Sequence, residues 1–261
     1  MLANVLDYDD GHRLTKGHPG AIVIPAMLAL AEAVDASPTA FLEAVLVGYE
    51  VAVRAGVLIH DRETQYHASA SWGSIGVTVA AARLLGLGPQ ALRHAVGISE
   101  YHAPIALMPR AVADPAMTKD TCGWGGLIGT SSALLAARGF TGLDSEFMQA
   151  GDDLGLGDRF EVLEIYLKPY PCCRWTQPAI DAALRLRAIG AAPEAIESVT
   201  VRTFAAADLL STRRPTNTEE MQYSLVWPVA TALARGRFGV EVLGEPVLEV
   251  RECCHVGVPS H

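Results

Sequence analysis

Gly123-Trp124-Gly125-Gly126-Leu127-Ile128-Gly129-Thr130-Ser131-Ser132-Ala133 is the stretch whose reading decides the fold. A helix lying on a protein surface shows an apolar stripe backed by charged residues. From Gly123 to Ala137 there is no charge, and side chains as small as Gly, Ser and Ala let neighbouring backbones approach closely. The segment therefore reads as a helix, Trp124–Ala137, inside a buried all-α bundle. Working outward, the same crowding of Ala and Gly recurs in the helices expected at Ile22–Val34, Phe41–Leu58 with a Ser37-Pro38 start, Ser74–Leu85 and Pro89–Ser99. Pro near helix starts and Gly just past helix ends punctuate the series.

Around Phe160–Tyr170 the composition changes. After a further helix at Gln177–Ile189, Glu197-Ser198-Val199-Thr200-Val201-Arg202-Thr203 alternates apolar and polar residues as a half-buried strand does. Another helix is expected at Leu225–Arg235 and an irregular or β segment at Val240–Val250. The expected fold is mainly α, an all-helical domain over 1–163 followed by a smaller, partial α+β domain over 164–261. The last eleven residues, 251–261, carry neither period and read as a disordered tail or the product of a changed reading frame.

The chain has 261 residues, half of them hydrophobic and 19% charged, which excludes the signature of disorder and points to extra buried surface such as an oligomer interface. The net charge of −9 comes without any Lys/Arg block, so neither a nucleic-acid stripe nor a polybasic membrane patch is expected. Pro25, Glu32 and Arg83 interrupt the longest apolar stretches well short of the roughly 20 residues a membrane span needs. No signal-peptide layout precedes the acidic Asp7-Tyr8-Asp9-Asp10 segment, so a cytoplasmic protein is expected. Cysteines at 122, 172, 173, 253 and 254 fit neither a disulfide framework nor a zinc or iron–sulfur site and read as reduced thiols.

Three clusters of polar groups stand out from this apolar background. The first runs from Asp7-Tyr8-Asp9-Asp10-Gly11-His12 to Lys16-Gly17-His18-Pro19-Gly20, where partial burial would move carboxyl and imidazole pKa values toward neutrality and suit them to proton transfer. The bland alternative is a capped helix entry with solvated acids. The second, Gln65-Tyr66-His67-Ala68-Ser69, places a His beside small hydroxyl residues; a lone His of this kind is more often structural. The third comprises Lys119 and Lys168, each in apolar or small surroundings, where a lysine reaches solvent, pairs with an acid or binds an anion. Together an Asp, two or three His and two Lys suit proton abstraction next to a carboxylate, since the carbanion that forms needs positive charge nearby. A zinc hydrolase is the sharpest rival, but His-x-x-x-His and His-Glu-x-x-His spacings are absent, as are nucleophile-elbow, Rossmann and P-loop patterns. Neither a metal nor a cofactor is expected.

In order and wording these segments resemble the MmgE/PrpD family: Leu6-Asp7-Tyr8-Asp9-Asp10, His18-Pro19-Gly20, Gly48-Tyr49-Glu50-Val51 with Arg54, Tyr66-His67, Gly139-Phe140-Thr141-Gly142, Lys168-Pro169-Tyr170-Pro171 and Tyr223-Ser224-Leu225. The resemblance implies a helical domain joined to a smaller lid and a homodimer. It also implies lyase chemistry on a small polycarboxylate, like that of 2-methylcitrate dehydratase or cis-aconitate decarboxylase. Carried over by position, it implies Asp7, His18, His67, Lys119 and Lys168 as catalytic residues, with Lys119, Lys168, His12 and Tyr170 as substrate contacts. His67, with His18, would transfer the proton, the lysines would bind carboxylates, and Asp7 would orient a neighbour. Gly11 stands where the decarboxylase has Thr, and Gln177 where many relatives have His. Relatives are also longer at both ends, so a truncated member is expected. Epimerisation of a dicarboxylate shares the same first step, and a non-catalytic oligomeric relative is the remaining alternative.

Overall fold

The computed structural model describes residues 2–63, 65–210, 214–243 and 254–257. In chain order its helices are α1 (Pro19–Ala33), α2 (Pro38–Arg62), α3 (Ala70–Leu84), α4 (Pro89–His102), α5 (Met108–Ala113), α6 (Cys122–Ala136), α7 (Glu146–Gln149), α8 (Gln177–Ala188), α9 (Thr218–Gln222) and α10 (Val226–Arg235). Short strands are β1 (Asp10–His12), β2 (Ile165–Leu167), β3 (Val199–Arg202) and β4 (Cys254–Gly257). The expected mainly helical fold is what forms, and no helix among the described residues is long and apolar enough to cross a membrane.

The chain folds into two compact units that are not contiguous in sequence. The first gathers Met1–Asn4, Asp9–Met108 and Thr118–Leu167. Its centre is α3, packed between α2 and α6 with α1 and α4 alongside. Trp72 and Val77 of α3 are fully buried in one core cluster with Ile22, Val23 and Met27 of α1. The small residues set the spacing. A Cβ on Gly129 of α6 would lie 2.5 Å from Val77 Cβ and 2.6 Å from the Ser74 carbonyl, and one on Gly76 would strike the Gly48 backbone of α2. These helices touch backbone to side chain, a closeness that only glycine permits. Helix starts follow the sequence punctuation: Ser37 Oγ accepts from Ala40 N–H at 3.2 Å, with Pro38 in the first turn of α2 and Pro89 in that of α4.

One buried ion pair ties α2 to the segment that closes this unit. Glu50 and Arg54, one turn apart, meet at 2.6 Å. The Glu50 carboxylate also accepts from the backbone N–H groups of Glu161 and Val162, both at 3.0 Å. Arg54 donates to the carbonyls of Leu154 (2.7 Å), Gly155 (3.0 Å) and Arg159 (2.9 Å). The anchored segment leads into β2, which pairs antiparallel with β1, Asp10 opposite Leu167 and His12 opposite Ile165.

The second unit gathers Val5–Tyr8, Pro109–Met117 and Lys168–His261. There α8 packs on α10 around Ile180, Leu225 and Trp227, and Gly236 closes α10 with the left-handed φ (67°) usual just past a helix end. The alternation read at 197–203 forms β3. The tail departs from expectation: Cys254–Gly257 is a strand, parallel to β3 with Val199 opposite Cys254 and Arg202 opposite Gly257. A free strand edge supplies the partner that a short tail without its own period lacks. The expected β or irregular segment starts with a 3₁₀ turn at Val240–Val242. Its remainder, 244–250, and the rest of the tail lie outside the described residues.

Candidate active site

In the first unit the His18-Pro19 entry to α1 and the turn before α6 converge on Ser69. The His18 backbone N–H donates to Ser69 Oγ at 3.0 Å, and Ser69 Oγ donates to Asp120 Oδ2 at 2.9 Å. His18 Nε2 lies 3.3 Å from the same Oδ2, and His18 Nδ1 lies 2.5 Å from the Asp10 carbonyl. Asp120 is 4% exposed, and its second oxygen, Oδ1, is buried without a hydrogen-bond partner. Lys119, next to it, is also buried, and its carbonyl accepts from Asn4 Nδ2 at 3.1 Å.

The backbone that presents these side chains is unusual. Lys119, Asp120 and Thr121 have φ values of 20°, 46° and 54°, three successive positive angles without a glycine. Left-handed backbone costs roughly 1–2 kcal/mol per residue with a Cβ, and strain of this kind persists only where the surroundings over-determine it. Here Asn4 and Ser69 hold the turn from either end. Asp10 adjoins His18. Its carboxylate accepts the Gly20 N–H, at 3.1 Å to each oxygen, and the Tyr49 hydroxyl, yet burial outweighs these bonds and raises its pKa.

His67 stands elsewhere in the same unit. It is buried at the wall of a cavity of about 550 Å³ shared with Ile59, Arg62, Trp72, Glu100 and Phe147, and neither ring nitrogen has a hydrogen-bond partner. Glu63, Glu100 and Glu146 face that cavity against the single guanidinium of Arg62, a balance unfavourable to a polyanion. His12 is turned to Glu161, its Nε2 3.2 Å from the carboxylate. Burial lowers the His12 pKa more than Glu161 raises it, so the contact is that of a neutral imidazole donating to a carboxylate.

In the second unit Lys168 Nζ meets Asp7 Oδ1 at 3.0 Å, both side chains almost wholly buried, and Asp7 Oδ2 lacks a partner. Tyr170 donates its hydroxyl to Asp181 of α8 at 2.6 Å, and burial together with that carboxylate pushes its pKa up to about 12. Gln177 Nε2 donates to the carbonyls of Tyr170 and Cys172, both at 3.3 Å, and so braces the Lys168-Pro169-Tyr170-Pro171 turn.

The expected residues thus divide between the units, His18, His67 and Lys119 in one, Asp7 and Lys168 in the other. His18 and the Lys119–Asp120 turn come together, as do Asp7 and Lys168. His12 and Tyr170, expected as substrate contacts, are engaged by Glu161 and Asp181. Sequence reasoning missed Asp120 and Ser69 as members of the cluster, although each adjoins or lies near a residue it singled out. At Gly11, a Cβ would meet the tip of the Tyr166 ring, so a threonine there would require that side chain to move.

Residues 1–160 match the MmgE/PrpD N-terminal domain and residues 170–252 the MmgE/PrpD C-terminal domain. Human cis-aconitate decarboxylase is 33% identical over 106 residues, 38% of this chain and 22% of that protein. The cis-aconitate decarboxylase-like protein oryM of Aspergillus oryzae is 30% identical over 104 residues, 36% of this chain and 22% of its own length. The matched stretch therefore spans about a fifth of each curated relative. With both domains matched in order over most of its length, the chain belongs to the MmgE/PrpD family.

Proposed function

We propose that this chain carries lyase chemistry on a small polycarboxylate, dehydratase-like or decarboxylase-like, through proton transfer at a carbon alpha to a carboxylate. The observation that carries the reading is the buried His18–Asp120 contact beside Lys119, an acid–base pair next to a cation in the helical unit. Such a cation lowers the cost of the enediolate formed when the proton leaves. The names of the curated relatives, both of the cis-aconitate decarboxylase type, support the substrate class. In this reading Lys119 and Lys168 bind substrate carboxylates, and Asp7 orients Lys168 through their 3.0 Å contact. His67 and His18 belong to the proton-transfer apparatus, and the acids that share the His67 cavity shift the weight toward the His18–Asp120 pair.

The test is proton NMR of the purified chain in deuterated buffer with 2-methylcitrate, citrate, cis-aconitate and succinate derivatives, following both alpha-proton exchange and product. Turnover or exchange that disappears in Lys119→Ala and falls in His67→Ala is the expected result. Exchange without net product would replace the lyase by an epimerase of the same substrate class. Silence across the panel from folded protein would sink the polycarboxylate reading and leave a non-catalytic relative.

A further inference from the structure

We propose that the atom which takes and returns the proton is Oδ1 of Asp120, with His18 and Ser69 as the residues that position it. The inference rests on the proposed function and deepens it, and it begins from the hydrogen-bond inventory of one imidazole. A backbone carbonyl can only accept, so the 2.5 Å contact to the Asp10 carbonyl requires a proton on His18 Nδ1. The other ring nitrogen, Nε2, faces Asp120 Oδ2 at 3.3 Å. At that distance the carboxylate oxygen takes up the second ring nitrogen. Both nitrogens of His18 are then spent inside the protein, and none remains to meet a substrate.

The carboxylate is the group left with capacity. Oδ2 accepts from Ser69 Oγ and contacts His18 Nε2, whereas Oδ1, itself buried, has no hydrogen-bond partner. A buried acceptor left unsatisfied is costly, and a protein keeps that cost where something comes to meet the atom. Three consecutive positive φ values carry that carboxylate and the neighbouring Lys119 into place, and strain of this kind is concentrated where side chains must be aimed. Ser69 fixes the geometry from the opposite side by accepting the His18 backbone N–H while donating to Oδ2.

The step balances without any further reactant. The substrate C–H bond alpha to a carboxylate breaks, the proton passes to Asp120 Oδ1, and the electron pair is delocalised into that carboxylate as an enediolate countered by the Lys119 ammonium. In the reverse direction the Oδ1–H bond returns the proton to carbon. His18 and Ser69 stay on Oδ2 throughout and hold the carboxyl group in position.

Two measurements decide the proposal. In the deuterium-exchange assay Asp120→Asn, which preserves shape but removes the basic oxygen, should slow exchange by about 10²- to 10⁴-fold, the usual share of a general acid–base group. Asp120→Glu should recover part of the loss. Ser69→Ala and His18→Gln should lower kcat by smaller factors with KM little changed. Exchange in Asp120→Asn within a few-fold of wild type, or complete loss in His18→Gln alone, would overturn the proposal and return the role to the histidine. The second measurement does not depend on turnover: ¹⁵N NMR of the histidine side chains should show both His18 nitrogens hydrogen-bonded in wild type and the Nε2 signal displaced in Asp120→Ala. An Nε2 signal that does not respond to Asp120→Ala removes the contact and overturns the proposal whatever the assay shows. Wild-type silence across the substrate panel with the expected ¹⁵N pattern would instead count against the proposed function alone.

Discussion

Replacing Arg54 with methionine removes the cation that the buried Glu50 carboxylate depends on, while keeping much of the side-chain volume. Breaking a buried ion pair by deleting one partner costs about 3–5 kcal/mol because a charge is left uncompensated. Glu50 would keep its bonds from the Glu161 and Val162 N–H groups, and charge-assisted bonds of that kind offset part of the loss. Against this, the carbonyls of Leu154, Gly155 and Arg159 would each lose a donor. The expected cost is therefore about 3 kcal/mol, a large part of the roughly 5–15 kcal/mol that a domain possesses. Urea unfolding followed by tryptophan fluorescence measures it, and amide hydrogen exchange localises it, with Glu161 and Val162 losing protection before the α3 core. Adding Glu50→Gln should recover about 1–3 kcal/mol, the coupling expected of groups in one network. A single Arg54→Met variant less than about 1 kcal/mol below wild type would mean that the pair is not buried as described, and the argument would fail.

The contact between α3 and α6 predicts opposite outcomes for two neighbouring glycines: Gly129→Ala overpacks against Val77 and should cost about 1–3 kcal/mol, less about 1 kcal/mol of helix propensity. Gly126→Ala, whose Cβ would sit 3.5 Å from Ala26, should keep that propensity gain and raise the melting temperature; equal effects at both sites would contradict the packing. Burial holds the pKa values of His12 and His60 below the ordinary 6.5, so the unfolded chain binds more protons than the folded one as pH falls through 6.5 toward the depressed values, and stability drops over that window. Asp10, whose pKa is raised, works in the other sense nearer its own range, so melts at pH 7.5 and 5.5 should show the loss, and His60→Gln should reduce it. Ile24 and Leu28 on α1 and Trp124 and Leu127 on α6 are exposed on adjacent helices, and a homodimer through this face predicts that Leu127→Glu yields monomers in light scattering while wild type does not; a monomeric wild type would refute it.

Much of the helical architecture was legible because its signals are local. Ser37-Pro38 and Pro89 mark helix starts whose capping geometry needs no tertiary help, and the uncharged Gly/Ser/Ala run of α6 announced close packing before any neighbour was known. The alternation of β3 spans two full periods and could be read. β1 and β2, three residues each, hold too little of a period to register, and their pairing joins opposite ends of the first unit. The candidate site was legible as a set of residue types, in His18 and Lys119, but not as an arrangement. Asp120 escaped notice because its placement depends on positive φ at Lys119, Asp120 and Thr121, and Thr118-Lys119-Asp120-Thr121 contains no glycine to betray it. His12 looked like a site residue for the opposite reason: a histidine beside acids is conspicuous in sequence, and only the folded chain shows that Glu161 claims it.

The pairing of β1 with β2 also sets a clock on synthesis. Roughly 150 residues separate the partners, and at 5–20 residues per second a ribosome needs about 10–30 s to make them. During that interval Asp10 and His18 have emerged while the strand that fixes β1 has not been translated. Asn4 likewise waits for Lys119. The segment from Asn4 to His18 is thus held open until the last part of the first unit is made, a window in which a chaperone, or a second nascent copy of the chain, has first access to the surfaces that β2 and the 119–121 turn later cover.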